Sequence, residues 1–207
     1  MQLFDRTIKK TLINASLTFP IVLVTGPRQV GKTTLLESCA DDKRNYVTLD
    51  DHEQRLLAQN DPALFLQHHQ TPLIIDEIQY APELFNEIKI TVDKSRENGL
   101  YWLTGSQKFQ LMQGITESLA GRVAIIELQG FAQAEIERRA SSLIPFLPTN
   151  QWIEQGRKRK PADLLINQLF EKIWRGSYPR IINEKEISTD LFYNSYLQTY
   201  IQRDVRD

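Results

Sequence analysis

Cysteine is nearly absent: Cys39 is the one example in 207 residues. A disulfide framework within the chain is thereby excluded, and a reducing compartment fits. Histidine is scarce as well. His52, His68 and His69 with a single cysteine make no structural zinc ligand set, and the His68-His69 pair reads as the end of a helix. Long hydrophobic runs are missing, since the longest, such as Ile21–Val24, fall far short of the ~20 residues a membrane-spanning helix needs. No export signal is evident, because Asn14, Ser16, Thr18 and Pro20 interrupt the apolar stretch near the amino terminus. The expected location is cytoplasmic, with no membrane partner. Excess charge is also lacking: 25 Lys+Arg face 26 Asp+Glu, net −1, which argues against a surface that coats polyanions. Internal repeats and low-complexity tracts are absent.

What is present is an ordinary globular composition, 41% hydrophobic and 25% charged, with enough chain to bury a sizeable core. Short apolar runs bounded by Gly, Pro or acidic residues predict buried strands at Ile21–Thr25, Tyr46–Leu49, Leu73–Asp76, Leu100–Thr104 and Val123–Leu128. Between them lie helical patterns. Lys32–Ala40 follows the first strand, and Asp61-Pro62 opens a capped helix. Pro82–Asn98 carries Leu84, Phe85, Ile88 and Val92 at helical spacing and stops at Gly99. Thr116–Ala120 is one turn closed by Gly121. This alternation predicts an α/β fold, a parallel sheet between helices on both faces. After Leu128 the strand signals end. Phe131–Ala140 reads as helix, a loop with Pro145 and Pro148 leads to Arg157–Lys160, and Pro161–Trp174 is helical. A loop with Gly176 and Pro179 precedes a last helix from Thr189. The expected organisation is an N-terminal helical segment over 1–20, a core over 21–130 and a helical appendage over 131–207.

The run Gly26-Pro27-Arg28-Gln29-Val30-Gly31-Lys32-Thr33 matches G-x-x-x-x-G-K-[ST] in full, with a strand before it and a helix after it. Such a loop turns successive backbone N–H groups inward on a phosphate, and the helix N-terminus adds partial positive charge. Lys32 is expected to reach the β- and γ-phosphates, Thr33 to bring its hydroxyl to Mg²⁺, and Thr34 to donate to the α-phosphate. Forty-four positions after Lys32, the strand Leu73–Asp76 ends in Asp76-Glu77. Asp76 suits the metal role that complements Thr33. Glu77 can polarise a water against the γ-phosphate, which favours hydrolysis over transfer to a small-molecule acceptor. The strand Leu100–Thr104 also ends in polar residues, and Thr104, Ser106 or Gln107 can face the γ-phosphate. Ser106 serves equally well as a helix cap. Arg122 is a candidate for stabilising transition-state charge, in cis or from a neighbouring molecule, ahead of Arg203 and Arg206. Asp50 and Asp51 fit a turn.

With these motifs assembled, the chain resembles an AAA+-type P-loop ATPase of the additional-strand, catalytic-glutamate kind. More narrowly it resembles a bacterial and archaeal AAA family that often carries a second, C-terminal domain of unknown function. The stretches that carry the resemblance are GPRQVGKTTLL, YVTLDD, NDPALFL, PLIIDEIQYAPELF, YWLTGSQKFQLM, ESLAGR, RGSYPR and YIQRDVRD. The resemblance implies a three-layer P-loop NTPase sandwich with strand order 5-1-4-3-2 followed by a helical lid. It also implies ATP with Mg²⁺, Asp76 and Glu77 as the acidic motif, Ser106 or a neighbour as sensor, and Arg122 as finger. Gly176–Pro179 resembles a Gly-x-x-Pro element that approaches the nucleotide in related switch ATPases. The family pattern would continue past Asp207, so the lid reads as cut before a further domain.

The expected partner is ATP, with a protein partner or self-association left open. Nucleic acid is unsupported, because Arg157-Lys158-Arg159-Lys160 has no aromatic interleaving and reads as a solvated loop. Tyr193, Tyr196 and Tyr200 read as packing. The leading expectation is an ATP-hydrolysing switch or motor module. Its alternative is a nucleotide-binding regulatory module with negligible turnover.

Overall fold

A computed structural model describes residues 3–105, 115, 118–140, 149–158, 164–184 and 186–204. The chain divides into two compact units, Ile8–Gly130 and the combination of residues 1–7 with Phe131–Asp207. Residues 1–20, read above as one segment, are shared between them: helix α1 (Lys9–Thr18) lies in the first unit, and residues 3–7 in the second.

The first unit holds five parallel strands, β1 (Ile21–Thr25), β2 (Asn45–Thr48), β3 (Leu73–Asp76), β4 (Tyr101–Gly105) and β5 (Val123–Glu127). Their order is β2-β3-β4-β1-β5, the expected 5-1-4-3-2 read from the other side. The three central strands are buried along their whole length, which is why they read as unbroken apolar runs. Register aligns Thr25 with Gly105 and Glu127, and Thr48 with Asp76. All five strands therefore end on one edge, where ligands bind in open α/β sheets.

Helices α2 (Lys32–Cys39), α3 (His52–Asn60), α4 (Pro62–His68) and α5 (Leu84–Ser95), with a 3-10 turn at Ile78–Tyr80, lie in the same unit. Asp61 caps α4 through its Oδ1, 2.9 Å from the Leu64 N–H, with Pro62 at the first position. Asp51 caps α3, a helix the sequence reading passed over, by accepting from the N–H groups of Glu53 and Gln54. Helix α5 buries Leu84, Phe85, Ile88 and Val92 as expected, but it ends earlier, with Arg96 in the left-handed region at φ 58°. Gly99 serves a different purpose. A Cβ there would stand 2.7 Å from Ser16 Oγ and 2.9 Å from Ser16 O, so only glycine admits α1 this close.

The described part of the second unit is helical: α6 (Gln133–Ile136), α7 (Asn150–Arg157), α8 (Ile166–Arg175), α9 (Pro179–Asn183) and α10 (Thr189–Asp204). The helix expected over Phe131–Ala140 is thus a single turn. Helix α7 occupies residues read as loop and takes in Gly156 and the first residue of the basic run, while Arg159 and Lys160 lie outside the described residues. Pro179 opens α9 because its fixed φ suits a first helical position. Tyr178, Phe192, Tyr193, Tyr196 and Tyr200 form a continuous aromatic cluster with centroids 5.1–6.1 Å apart, as packing would have it.

Within this unit the carboxylate of Glu135, 2% exposed, gathers the amino-terminal residues. It accepts from the Thr7 N–H at 2.6 Å, the Thr7 hydroxyl at 2.9 Å and the Ala132 N–H at 2.8 Å. Arg6, 8% exposed, lies 3.1 Å away, and its guanidinium covers the Phe131 ring. Removing one partner of a buried ion pair strands the other. Glu135→Ala is therefore expected to cost about 3–5 kcal/mol, measurable by urea unfolding of the helical unit's signal.

Candidate nucleotide site

Where β1 ends, the chain must turn sharply under the sheet edge. A Cβ at Gly26 would lie 2.1 Å from the Leu128 carbonyl oxygen, so the close approach of β1 and the end of β5 demands glycine. Gly31, at φ 89°, has open space around it; there the demand is conformational. Gln29 also adopts a left-handed conformation, φ 62°. Val30 is buried and pins the loop, while Pro27 and Arg28 are partly exposed. Helix α2 starts at Lys32 with no side chain capping it. The N–H groups of Lys32, Thr33 and Thr34 thus begin a helix at the sheet's binding edge, the arrangement that receives a phosphate.

Lys32 is 6% exposed, and its ammonium donates to the carbonyls of Gly26 (3.2 Å) and Pro27 (3.0 Å). Burial lowers its pKa, opposed by the negative charge of Glu77 and then of Asp76. A buried cation arched over a loop of backbone amides is matched to an anion.

Asp76, at the end of β3, is the hub of the polar network. The Thr33 hydroxyl donates to its Oδ1 at 2.8 Å, and the Thr104 hydroxyl donates to the same oxygen. Tyr46 on β2 donates to Oδ2 at 3.3 Å, and burial followed by the Asp76 charge pushes the phenol up to about 12, so it stays a donor. One carboxylate beside a threonine hydroxyl fits Mg²⁺, which takes few protein ligands and keeps phosphates and waters as the rest. Among the described residues no cluster of three or more His, Cys, Asp or Glu could hold a metal.

Glu77 follows directly, in the left-handed region at φ 57°, ψ 46°. Its N–H donates to the Thr104 hydroxyl oxygen at 3.0 Å, and its Oε2 accepts from Gln79 Nε2 at 2.5 Å. Thr104, wholly buried, therefore bridges the Asp76 carboxylate and the backbone of Glu77 through one hydroxyl. Thr104→Val keeps the shape and removes both contacts. It should lower stability by about 1–3 kcal/mol, since the Glu77 N–H loses its acceptor and Asp76 Oδ1 keeps only the Thr33 hydroxyl; an unchanged denaturation midpoint would contradict the bridging role.

The expected residues are distributed unevenly. Gly26 to Thr34, Asp76 and Glu77 come together at the strand ends. Ser106 and Gln107 lie outside the described residues, as does Arg206, and nothing is described of the Arg203 side chain. Arg122 precedes β5 and its carbonyl accepts from the Ile21 N–H, which puts it on the amino edge of the sheet. Five residues of strand, about 16 Å at ~3.3 Å per residue, separate that edge from the loop. There Arg122 grips Asp93 of α5 with two hydrogen bonds, 2.6 and 2.9 Å. Asp51 is spent on capping α3, and Asp50 lies 4.0 Å from Arg55. In the helical unit, Gly176 at φ 72° closes α8 beneath the Tyr193 hydroxyl, which donates to the Arg175 carbonyl at 2.9 Å.

Sequence reasoning missed Tyr46 and Gln79. Tyr46 pairs with Ile74, two residues before Asp76 on the same face, so strand register carries that signal once the β2–β3 pairing is known. Thr104 was one of three polar candidates at the end of β4.

An AAA domain model matches residues 18–137. Two uncharacterized proteins, one of Mycobacterium tuberculosis (strain ATCC 25618 / H37Rv) and one of Mycobacterium bovis (strain ATCC BAA-935 / AF2122/97), are each 30% identical over 176 residues, 82% of this chain. The match spans 36% of the length of those relatives. Among solved structures, a Walker-type ATPase of Pyrococcus abyssi shares the fold at TM-score 0.54 and 16% identity, covering 95% of this chain and 72% of that one. Among the described residues no helix is long and apolar enough to cross a membrane.

Proposed function

Because this chain belongs to the AAA domain family of P-loop ATPases, we propose that it binds ATP with Mg²⁺ and hydrolyses it to ADP and phosphate, as a nucleotide-dependent switch or motor module. The observation that carries this reading is the run of contacts from Thr33 through Asp76 and Thr104 to Glu77. It ties the phosphate loop to the carboxylate that serves water. The loop amides from Gly26 to Thr34, with the Lys32 ammonium, receive the β- and γ-phosphates. Thr33 and Asp76 hold Mg²⁺, which when bound offsets phosphate charge. Glu77 orients a water and takes its proton as the water oxygen bonds to the γ-phosphorus and the bond to ADP breaks. Ser106, just past β4, is assigned to the γ-phosphate on its sequence position alone. The residues after 130 act as the lid.

Arg122 stands across the sheet from its own loop, so as a finger it serves the nucleotide of a neighbouring copy. Self-association is accordingly part of this reading. The same arginine favours a second one, a regulatory module in which a lone chain binds ATP with negligible turnover. Phosphate release from ATP, with and without EDTA and over a range of protein concentrations, separates the two. Slow, Mg²⁺-dependent release that rises per chain with concentration is expected. Tight ATP binding with no release at any concentration would replace hydrolysis by the regulatory reading.

A further inference from the structure

We propose that Gln79 is a positioning residue, its side-chain amide fixing the Glu77 carboxylate in the orientation from which it addresses water; this rests on the hydrolytic reading above. Three observations converge on it. Gln79 Nε2 donates to Glu77 Oε2 at 2.5 Å. Gln79 is only 9% exposed, and its buried Oε1 has no hydrogen-bond partner among the described residues. The turn that carries it, the single 3-10 turn Ile78–Tyr80, is fastened from several sides.

The fastening begins at Glu77, whose left-handed backbone starts the turn and whose N–H is held by Thr104. Ile78 and Ala81 are wholly buried. The Tyr80 carbonyl accepts from Gln59 Nε2 on α3 at 2.5 Å, and the Arg55 guanidinium lies 4.2 Å from the Tyr80 ring centroid. Arg55 in turn donates to the Leu49 carbonyl at 2.7 Å. Gln79 is thus presented by a rigid support.

The chemistry of the amide separates a functional role from packing. The reversed amide would set its carbonyl oxygen against a carboxylate, so the donor end must face Glu77. That leaves the acceptor end buried and unsatisfied, an arrangement that native cores avoid unless a site retains it. Leucine or methionine would fill the same space without an orphaned oxygen. A glutamate has three side-chain torsions to restrain, and a backbone hydrogen bond restrains none of them; the amide does.

Four proteins test this: wild type, Glu77→Gln, Gln79→Met and the double variant, each measured for phosphate release, KM for ATP with Mg²⁺, and melting temperature. Methionine keeps the length and loses the donor. We expect Gln79→Met to lower kcat about 10- to 100-fold, the scale of an ångström-sized misplacement, with KM changed less than about twofold. In the Glu77→Gln background the same change should alter kcat less than about twofold, because Gln79 acts through Glu77. Equal losses in both backgrounds, or a raised KM at unchanged kcat, would overturn the proposal. Should Gln79→Met fail to fold, Gln79→Glu carries the test, since it keeps the shape and sets a second carboxylate against Glu77; wild-type kcat in that variant overturns the proposal. If Glu77→Gln hydrolyses as fast as wild type, the hydrolytic reading itself fails, an outcome distinct from a neutral Gln79.

Discussion

Lys32→Ala is expected to weaken ATP binding by 10²-fold or more, a loss of about 3 kcal/mol. Lys32 is the cation that the fold buries at the loop, 6% exposed and held by the Gly26 and Pro27 carbonyls. Neutral acceptors are weak partners for an ammonium, and exchanging them for phosphate oxygens supplies a charge-assisted contact. The same burial sets the sign of a pH effect. The folded-state pKa of Lys32 is lowered, chiefly by desolvation, so the charged form opposes folding at neutral pH, and that cost fades as pH rises above the lowered value. ATP-free Lys32→Ala should therefore melt no lower than wild type by any desolvation effect, even as it loses ligand. Titration with a fluorescent ATP analogue, with melting curves alongside, reads both. Wild-type affinity in the variant would refute the assignment of the loop.

The second large effect is expected at Glu77. Glu77→Gln should slow phosphate release about 10²- to 10⁴-fold, the range associated with a positioned acid or base, while ATP affinity changes little. The reason lies in the division of labour along the sheet edge. In the proposed function the phosphate contacts are assigned to the loop after β1, whereas Glu77 belongs to the end of β3 and meets the rest of the site through the Thr104 bridge. Quench-flow and equilibrium binding on the same preparation separate the two quantities. A variant that loses ATP binding, or one with an unchanged rate, would remove Glu77 from the proposed role.

The most legible parts of the fold were those where one physical requirement dominates a short stretch. Strands buried on both faces must be apolar throughout, so β1, β3 and β4 stood out almost residue for residue. The loop was legible because its backbone path demands glycine at fixed positions, for a close approach to Leu128 at Gly26 and a left-handed φ at Gly31. Asp61-Pro62 worked for the same reason. Arg96 did not: a helix end expected at Gly99 came three residues earlier, because a non-glycine residue took the left-handed position. Helices α6 and α7 departed from expectation: the first is a single turn where Phe131–Ala140 read as helix, and the second lies in a stretch read as loop. Gln79 and Tyr46 left no local trace at all. Each matters through a partner brought near by backbone geometry, the left-handed turn at Glu77 for Gln79 and the β2–β3 pairing for Tyr46, and that geometry is not written in residue type.

Glu135 and the residues it gathers have a practical consequence for dissecting the molecule. The chain passes between its two units twice, at Thr7–Ile8 and again at Gly130–Phe131. A gene fragment opening at Phe131 would therefore encode an unfinished object: it would omit the Thr7 N–H and hydroxyl, Arg6 beside the carboxylate, and the Phe4 ring that lies 4.7 Å from Phe131. Poor behaviour of such a fragment would report a missing strap rather than a dependence on the nucleotide unit. A circular permutant that splices residues 3–7 onto the helical segment, or co-expression with a peptide of that stretch, is the form that keeps these contacts.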